Sequence, residues 1–193
     1  MIQTRRGTFE TNSSSTHSIA IPDTDFDARG MHVSFGIGEY GWEWSTLHGG
    51  ECADYFYTAL VSKYPVSYEE KMSDIKDYLS SYGITCDWET PKLSKWPDNE
   101  NDEPTDGNMY LDEGYIDHSE DLDEFLDAVL NDKDLLIKLI VNGEIRTGND
   151  NSYDTDSIDE LLNRENCTFL AYQNRGFHSD RLNVFVTFLY MLL

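Results

Sequence analysis

Lysine and arginine are scarce in this 193-residue chain: 14 stand against 37 aspartates and glutamates, a formal net charge of −23. So few cations exclude the common modes of nucleic-acid binding, because phosphate contact relies on Lys and Arg. The same deficit disfavours anionic membrane surfaces. Cysteine is also sparse. Cys52, Cys86 and Cys167 lie far apart with no Cys-x-x-Cys pair, which predicts reduced thiols in a cytoplasm and no disulfide framework. The longest apolar run, Val184 to Leu193 with Thr187 interrupting, covers about half of the roughly 20 residues a membrane span needs and reads as core. Met1 to Gly7 holds two arginines with no apolar stretch after them, so no secretory signal is expected. What is present argues against disorder: 39% of residues are hydrophobic and 13% aromatic, enough to offset the entropy of ordering.

Periodicity predicts an α+β fold: a single domain over 1–193, with a mixed or antiparallel sheet packed by three to five helices. Ser18 to Ile21 reads as a strand ended by Pro22, and Met31 to Ile37 as a second one. Glu51 to Lys63 places Tyr55, Phe56, Ala59 and Leu60 at helical spacing. Ser67 and Glu70 form a capping box for a helix bearing Met72, Ile75, Leu79 and Tyr82 and stopping at Gly83. Ile84 to Trp88 and Gly114 to Asp117 read as strands, and about 91–111 as an exposed acidic loop. Ser119 caps a helix striped by Leu122, Phe125, Leu126, Val129 and Leu130. Leu135 to Thr147, turning at Asn142-Gly143, reads as a β-hairpin. Ser157 to Arg164 is expected as a helix and Thr168 to Tyr172 as a strand, while the segment from Ser179 fits a buried helix or a central strand.

The acid is unevenly placed. Between Lys95 and Lys133 there is no Lys or Arg, yet fourteen of the 37 acidic residues lie there: Asp98, Glu100, Asp102, Glu103, Asp106, Asp112, Glu113, Asp117, Glu120, Asp121, Asp123, Glu124, Asp127 and Asp132. Self-repulsion of this size opposes folding, and solubility needs a net charge of only about 2–8. Carboxylates spaced like phosphates can occupy a basic groove built for nucleic acid, and complementary charge would steer a basic protein toward them. Tyr110 and Tyr115, interleaved with these acids, are candidate anchors. A solvated acidic surface is the plainer reading of the same residues.

Metal binding and nucleophilic catalysis are the other chemistries these residues suggest. Asp102, Asp106 and Glu113 occupy positions one, five and twelve of a calcium loop with Gly107 at six, but Pro104 stands at position three, where a ligand belongs. His48 and Cys52 are four apart, with Gly49-Gly50 breaking the helix that would align them on zinc. No cofactor is expected. In the N-terminal run, Arg6, Glu10, Ser13, Ser15 and His17 gather a guanidinium, a carboxylate, hydroxyls and an imidazole. His17 as base and Ser13 or Ser15 as nucleophile would make a hydrolase or transferase, although neither a Gly-x-Ser-x-Gly elbow nor a phosphate-binding loop is present.

The run Arg6-Gly7-Thr8-Phe9-Glu10-Thr11-Asn12-Ser13-Ser14-Ser15-Thr16-His17-Ser18 resembles the opening of a group of small proteins of bacterial viruses and integrated elements. Gly114-Tyr115-Ile116-Asp117-His118 is similar to a second short motif of that group. The resemblance covers under a tenth of the chain and implies a mobile-element origin, with no catalytic residues to carry over. In such elements, small acidic proteins include anti-restriction and anti-CRISPR inhibitors that act as DNA mimics. The implied function is inhibition of a basic, nucleic-acid-binding host protein, foremost a CRISPR effector nuclease, in the host cytoplasm. The alternatives are the hydrolase or transferase above and an acidic accessory module that binds another phage protein.

Overall fold

The helix expected from Glu51 is the centre of the molecule. It runs Gly50–Lys63 (α1) and is buried almost all round, with Cys52, Ala53 and every residue from Tyr55 to Val61 inside. A helix this apolar must be covered on every side, and a computed structural model of the protein shows what covers it. The structure describes residues 15–22, 27–41, 43, 45–97, 102–117, 122–149 and 167–173. In chain order the elements are β1 (Ser15–Pro22), β2 (His32–Phe35), β3 (Glu39–Tyr40), β4 (Ser45–Leu47), α1, α2 (Tyr68–Ser81), β5 (Thr85–Trp88), β6 (Leu93–Lys95), β7 (Met109–Leu111), β8 (Tyr115–Ile116), α3 (Asp123–Asn131), α4 (Asp134–Asn142), β9 (Glu144–Asn149) and β10 (Cys167–Gln173). The helix expected over Ser157 to Arg164 and the apolar segment from Ser179 lie outside the described residues.

The fold is α+β, as periodicity predicted. One antiparallel sheet runs in the order β10-β1-β9-β4, and three two-stranded pairs accompany it: β2 with β5 and β3 with β8 in parallel, β6 with β7 antiparallel. Helix α1 packs against β2, α4, β8 and α3, and α4 against β1. Aromatic rings knit these layers together: Phe56 meets Phe35 at 6.4 Å and Phe125 at 6.2 Å between centroids, and Tyr55 meets Phe125 at 6.2 Å.

The hairpin expected over 135–147 is not formed. Leu135 to Val141 lies within helix α4, which buries Leu136, Ile137, Leu139 and Ile140. Only the second arm, β9, is a strand, and it pairs with β1 and β4. The reason lies in the residues. Leu-Leu-Ile-Lys-Leu-Ile-Val has no alternation, and its one charge falls where a helix faces outward. The Asn-Gly pair that suits a two-residue turn also suits a helix terminus. Gly143 donates its N–H to the Leu139 carbonyl at 2.8 Å, and a Cβ on Gly143 would collide with Leu139.

The stretch over 91–111 also holds more structure than expected. Leu93–Lys95 pairs with Met109–Leu111 in antiparallel register, Leu93 opposite Leu111 and Lys95 opposite Met109, so a short ribbon forms the base of the acidic loop.

Cys52 and Cys86 are buried and unpaired with other cysteines. Burial, helped by the Glu51 charge, pushes the Cys52 thiol up to about 12, and burial pushes Cys86 in the same direction. The thiolate is the reactive form. Neither residue is therefore expected to alkylate in native protein at pH 8, and both should do so on unfolding, as followed residue by residue by peptide mass spectrometry. Native-state modification of Cys52 at the unfolded rate would contradict this burial.

Candidate functional site

The acidic stretch divides among three structural settings. Asp98, Glu100, Glu120 and Asp121 lie outside the described residues. Asp102, Glu103, Asp106, Asp112 and Glu113 sit on or beside the β6–β7 ribbon and its loop; all are exposed. Asp117 follows β8 and is half-buried, and Asp123, Glu124 and Asp127 stand exposed on α3.

These carboxylates do not all face outward toward a partner. Asp106 crosses to the start of α2, where its Oδ1 accepts from the Val66 N–H at 2.7 Å and the Ser67 N–H at 3.1 Å, and its Oδ2 from the Ser67 hydroxyl at 2.7 Å. Ser67 makes no side-chain cap bond in its own helix, so the expected Ser67–Glu70 capping box gives way to a cap supplied from the loop. Burial opposes the charge on Asp106, but these three hydrogen bonds and nearby Lys71 outweigh it and hold the carboxyl below its ordinary range. Asp106→Ala is expected to cost about 1 kcal/mol, the usual worth of a cap. The cost should be full above pH 3.8, the ordinary Asp value. It should fade as pH falls through the lower folded value, because protonation removes the same acceptor. Paired thermal melts across pH test this; equal melting temperatures at neutral pH would refute it.

This placement also dissolves the calcium loop. Asp106 is held by α2, Glu113 by the Lys92 ammonium, and Asp102 offers its backbone carbonyl to Lys95 Nζ at 2.6 Å. Among the described residues no group of three or more His, Cys, Asp or Glu could hold a metal ion.

Helix α3 presents the most regular row. Leu122, Phe125, Leu126 and Val129 face inward, which leaves Asp123, Glu124 and Asp127 together on the outer side as i, i+3 and i+4 neighbours. Lys63 reaches Asp123 at 2.7 Å, an exposed pair worth at most about 1 kcal/mol.

The N-terminal candidates divide differently. Arg6, Glu10 and Ser13 lie outside the described residues. Ser15 opens strand β1. His17 is fully buried on that strand. Its Nε2 lies 3.2 Å from the Asp117 carbonyl, which can only accept, so Nε2 carries the proton; the Tyr55 hydroxyl, 2.8 Å from Nδ1, then donates. Both ring nitrogens are engaged within the core, so His17 joins β1, α1 and the end of β8.

Sequence reading missed three sites built by long-range contacts. His32 meets Thr85 Oγ1 through Nδ1 at 2.9 Å, and Asp87 through Nε2 at 3.1 Å, with Ser34 Oγ 3.5 Å from the same Nε2. A relay needs carboxylate and nucleophile at opposite nitrogens; Ser34 shares Nε2 with Asp87, and the hydroxyl at the opposite nitrogen is that of Thr85, which also lies 3.4 Å from the Met31 carbonyl. The Gly36–Gly38 loop is clamped by side chains: Asp54 accepts from the Gly36 N–H at 2.6 Å, Glu89 from Ile37 at 3.2 Å and Thr58 from Gly38 at 3.0 Å. Burial raises the Asp54 carboxyl, against the pull of the Gly36 bond. Third, Trp96 stacks on Tyr110 with centroids 4.5 Å apart and remains 52% exposed. Tyr115, the other expected anchor, is 46% exposed on β8.

No helix among the described residues is long and apolar enough to cross a membrane. Comparison of the chain with protein-family models, with curated proteins and with solved structures returns no match.

Proposed function

We propose that this protein inhibits a nucleic-acid-binding host defence complex, foremost a CRISPR effector nuclease, by holding carboxylates where phosphates would lie in a basic channel. The observation that carries this reading is the outer row of α3. At about 1.5 Å rise per residue, Asp123, Glu124 and Asp127 place three carboxylates along about 6 Å of axis, Asp123 shared with Lys63 and the other two on the open side. One strand of duplex DNA shows one charge per about 3.4 Å. The exposed Asp102, Glu103, Asp112 and Glu113 extend the field beyond the helix. In this reading the chain is a binding protein with no catalytic step and no cofactor. It contacts neither nucleic acid nor membrane, and works in the host cytoplasm. Its association with the target is fast and weakens with salt.

Competition provides the test. Purified protein should displace labelled duplex DNA from a susceptible CRISPR effector at about 50 mM salt. Excess DNA should restore cleavage, and raising the salt to about 300 mM should weaken the inhibition at least tenfold. The reading fails if no effector of a representative panel loses DNA binding at tenfold molar excess of the protein.

A further inference from the structure

The β6–β7 ribbon turns one face to the core and the other to solvent. Leu93 and Leu111, directly opposite each other, pack against the core. Side chains alternate along a strand, so Ser94, Trp96, Tyr110 and Asp112 share the other face. Ser94 stands opposite Tyr110, and its hydroxyl donates to Asp112 Oδ2 at 2.6 Å. Trp96 and Tyr110 stack at 4.5 Å with their planes 33° apart, while half of Trp96 remains open to water. An exposed indole stacked on a tyrosine whose same-face strand neighbour, Asp112, is an exposed carboxylate, at the edge of the cation-free stretch between Lys95 and Lys133, is suited to one kind of side chain.

We propose that this aromatic pair, with Asp112 beside it, is the docking platform for an arginine of the basic partner. A guanidinium is planar and weakly hydrated, stacks on an indole face, and donates from its edge to a carboxylate. Asp112 accepts from Ser94 through one oxygen, and a carboxylate has further lone pairs for an arginine N–H. Lysine, a compact and strongly hydrated charge, gains less from the same surface. Of the ribbon's own lysines, Lys92 pairs with Glu113 and Lys95 donates to the Asp102 carbonyl. This inference rests on the proposed inhibition of a basic protein and adds which partner residue anchors it, so that charge supplies the encounter and the platform the selectivity.

The test uses nona-arginine and nona-lysine peptides titrated against the full chain at about 50 mM salt, with folding of each variant checked by circular dichroism. Wild type should bind the arginine peptide about fivefold more tightly than the lysine peptide. Trp96→Ala should bring the two within about twofold while leaving lysine-peptide affinity unchanged, and Trp96→Phe should retain part of the preference. The indole N–H resonance of Trp96 should also shift more on arginine-peptide addition than those of Trp42, Trp44 and Trp88. If Trp96→Ala keeps the full arginine preference, or wild type shows none, the platform is refuted while the acidic-surface reading stands. If neither peptide binds wild type at low salt, both fall.

Discussion

Reversing Glu103, Glu124 and Asp127 to lysine together is expected to abolish competition with DNA while leaving the protein folded. All three side chains are exposed. They avoid carboxylates with structural duties: Asp106 caps α2 and Asp123 pairs with Lys63. The triple change moves the net charge from −23 to −17, a modest part of the total but concentrated on the surface proposed to meet the partner. Coupling across close charge pairs at an interface is large, and like charges placed face to face reverse its sign. Competition should weaken at least about 100-fold at 50 mM salt, and its salt dependence should flatten as fewer ion contacts form. Thermal stability should hold or rise, because self-repulsion is relieved. A folded triple variant that still displaces DNA as wild type does would sink the mimicry reading and leave the acid as a solvated surface.

Gly41→Ala is expected to produce a large loss of stability from a single methyl group. Gly41 is buried and adopts φ of 114°, a conformation that costs a residue with a side chain on the order of 1–3 kcal/mol. Its Cβ would also lie 2.8 Å from Asp117 Cβ and 3.0 Å from His17 Nε2. Overpacking of a filled site adds a further 1–3 kcal/mol or so. Together these give about 2–6 kcal/mol, which at a slope of about 2 kcal/mol per molar should lower the urea midpoint by about 1–3 M with the slope unchanged. A shift under about 0.5 M would mean that β1, α1 and the end of β8 do not meet at His17 as described. Tyr55→Phe tests the same junction more gently: it leaves His17 Nδ1 without the tyrosine donor, at about 1–3 kcal/mol. Because these residues touch, the two substitutions should not add.

Where the fold was legible in the sequence, a local period made it so. Tyr55, Phe56, Ala59 and Leu60 marked α1, Met72, Ile75 and Leu79 marked α2, and Leu122, Phe125, Leu126 and Val129 marked α3. The errors occurred where local signals were degenerate or absent. Leu135 to Val141 has no period to separate helix from strand, and Asn142-Gly143 suits the end of either. Strands β6 and β7 are three residues each, too short to show a pattern, and exist only because each finds the other. Ser67 and Glu70 satisfied a local capping rule, but Asp106, some 39 residues away, supplied the acceptor. Trp96 stood in a polar stretch beside Pro97, and nothing nearby in sequence indicated that Tyr110 would stack on it.

Composition and order along the chain determined that the molecule is strongly acidic, that its acid is concentrated between Lys95 and Lys133, and that its elements alternate as α+β. Those properties belong to the residues and their near neighbours, so they do not depend on which distant segments meet. Only the tertiary structure decided what individual side chains do. A carboxylate's role depends on which donors reach it, and for Asp106 these come from the start of α2, while the half-buried Asp117 lends its backbone carbonyl to a histidine 100 residues distant. His17 itself, a candidate base when read beside its serines, is a buried core residue because Tyr55 and Asp117 close over it from other parts of the chain.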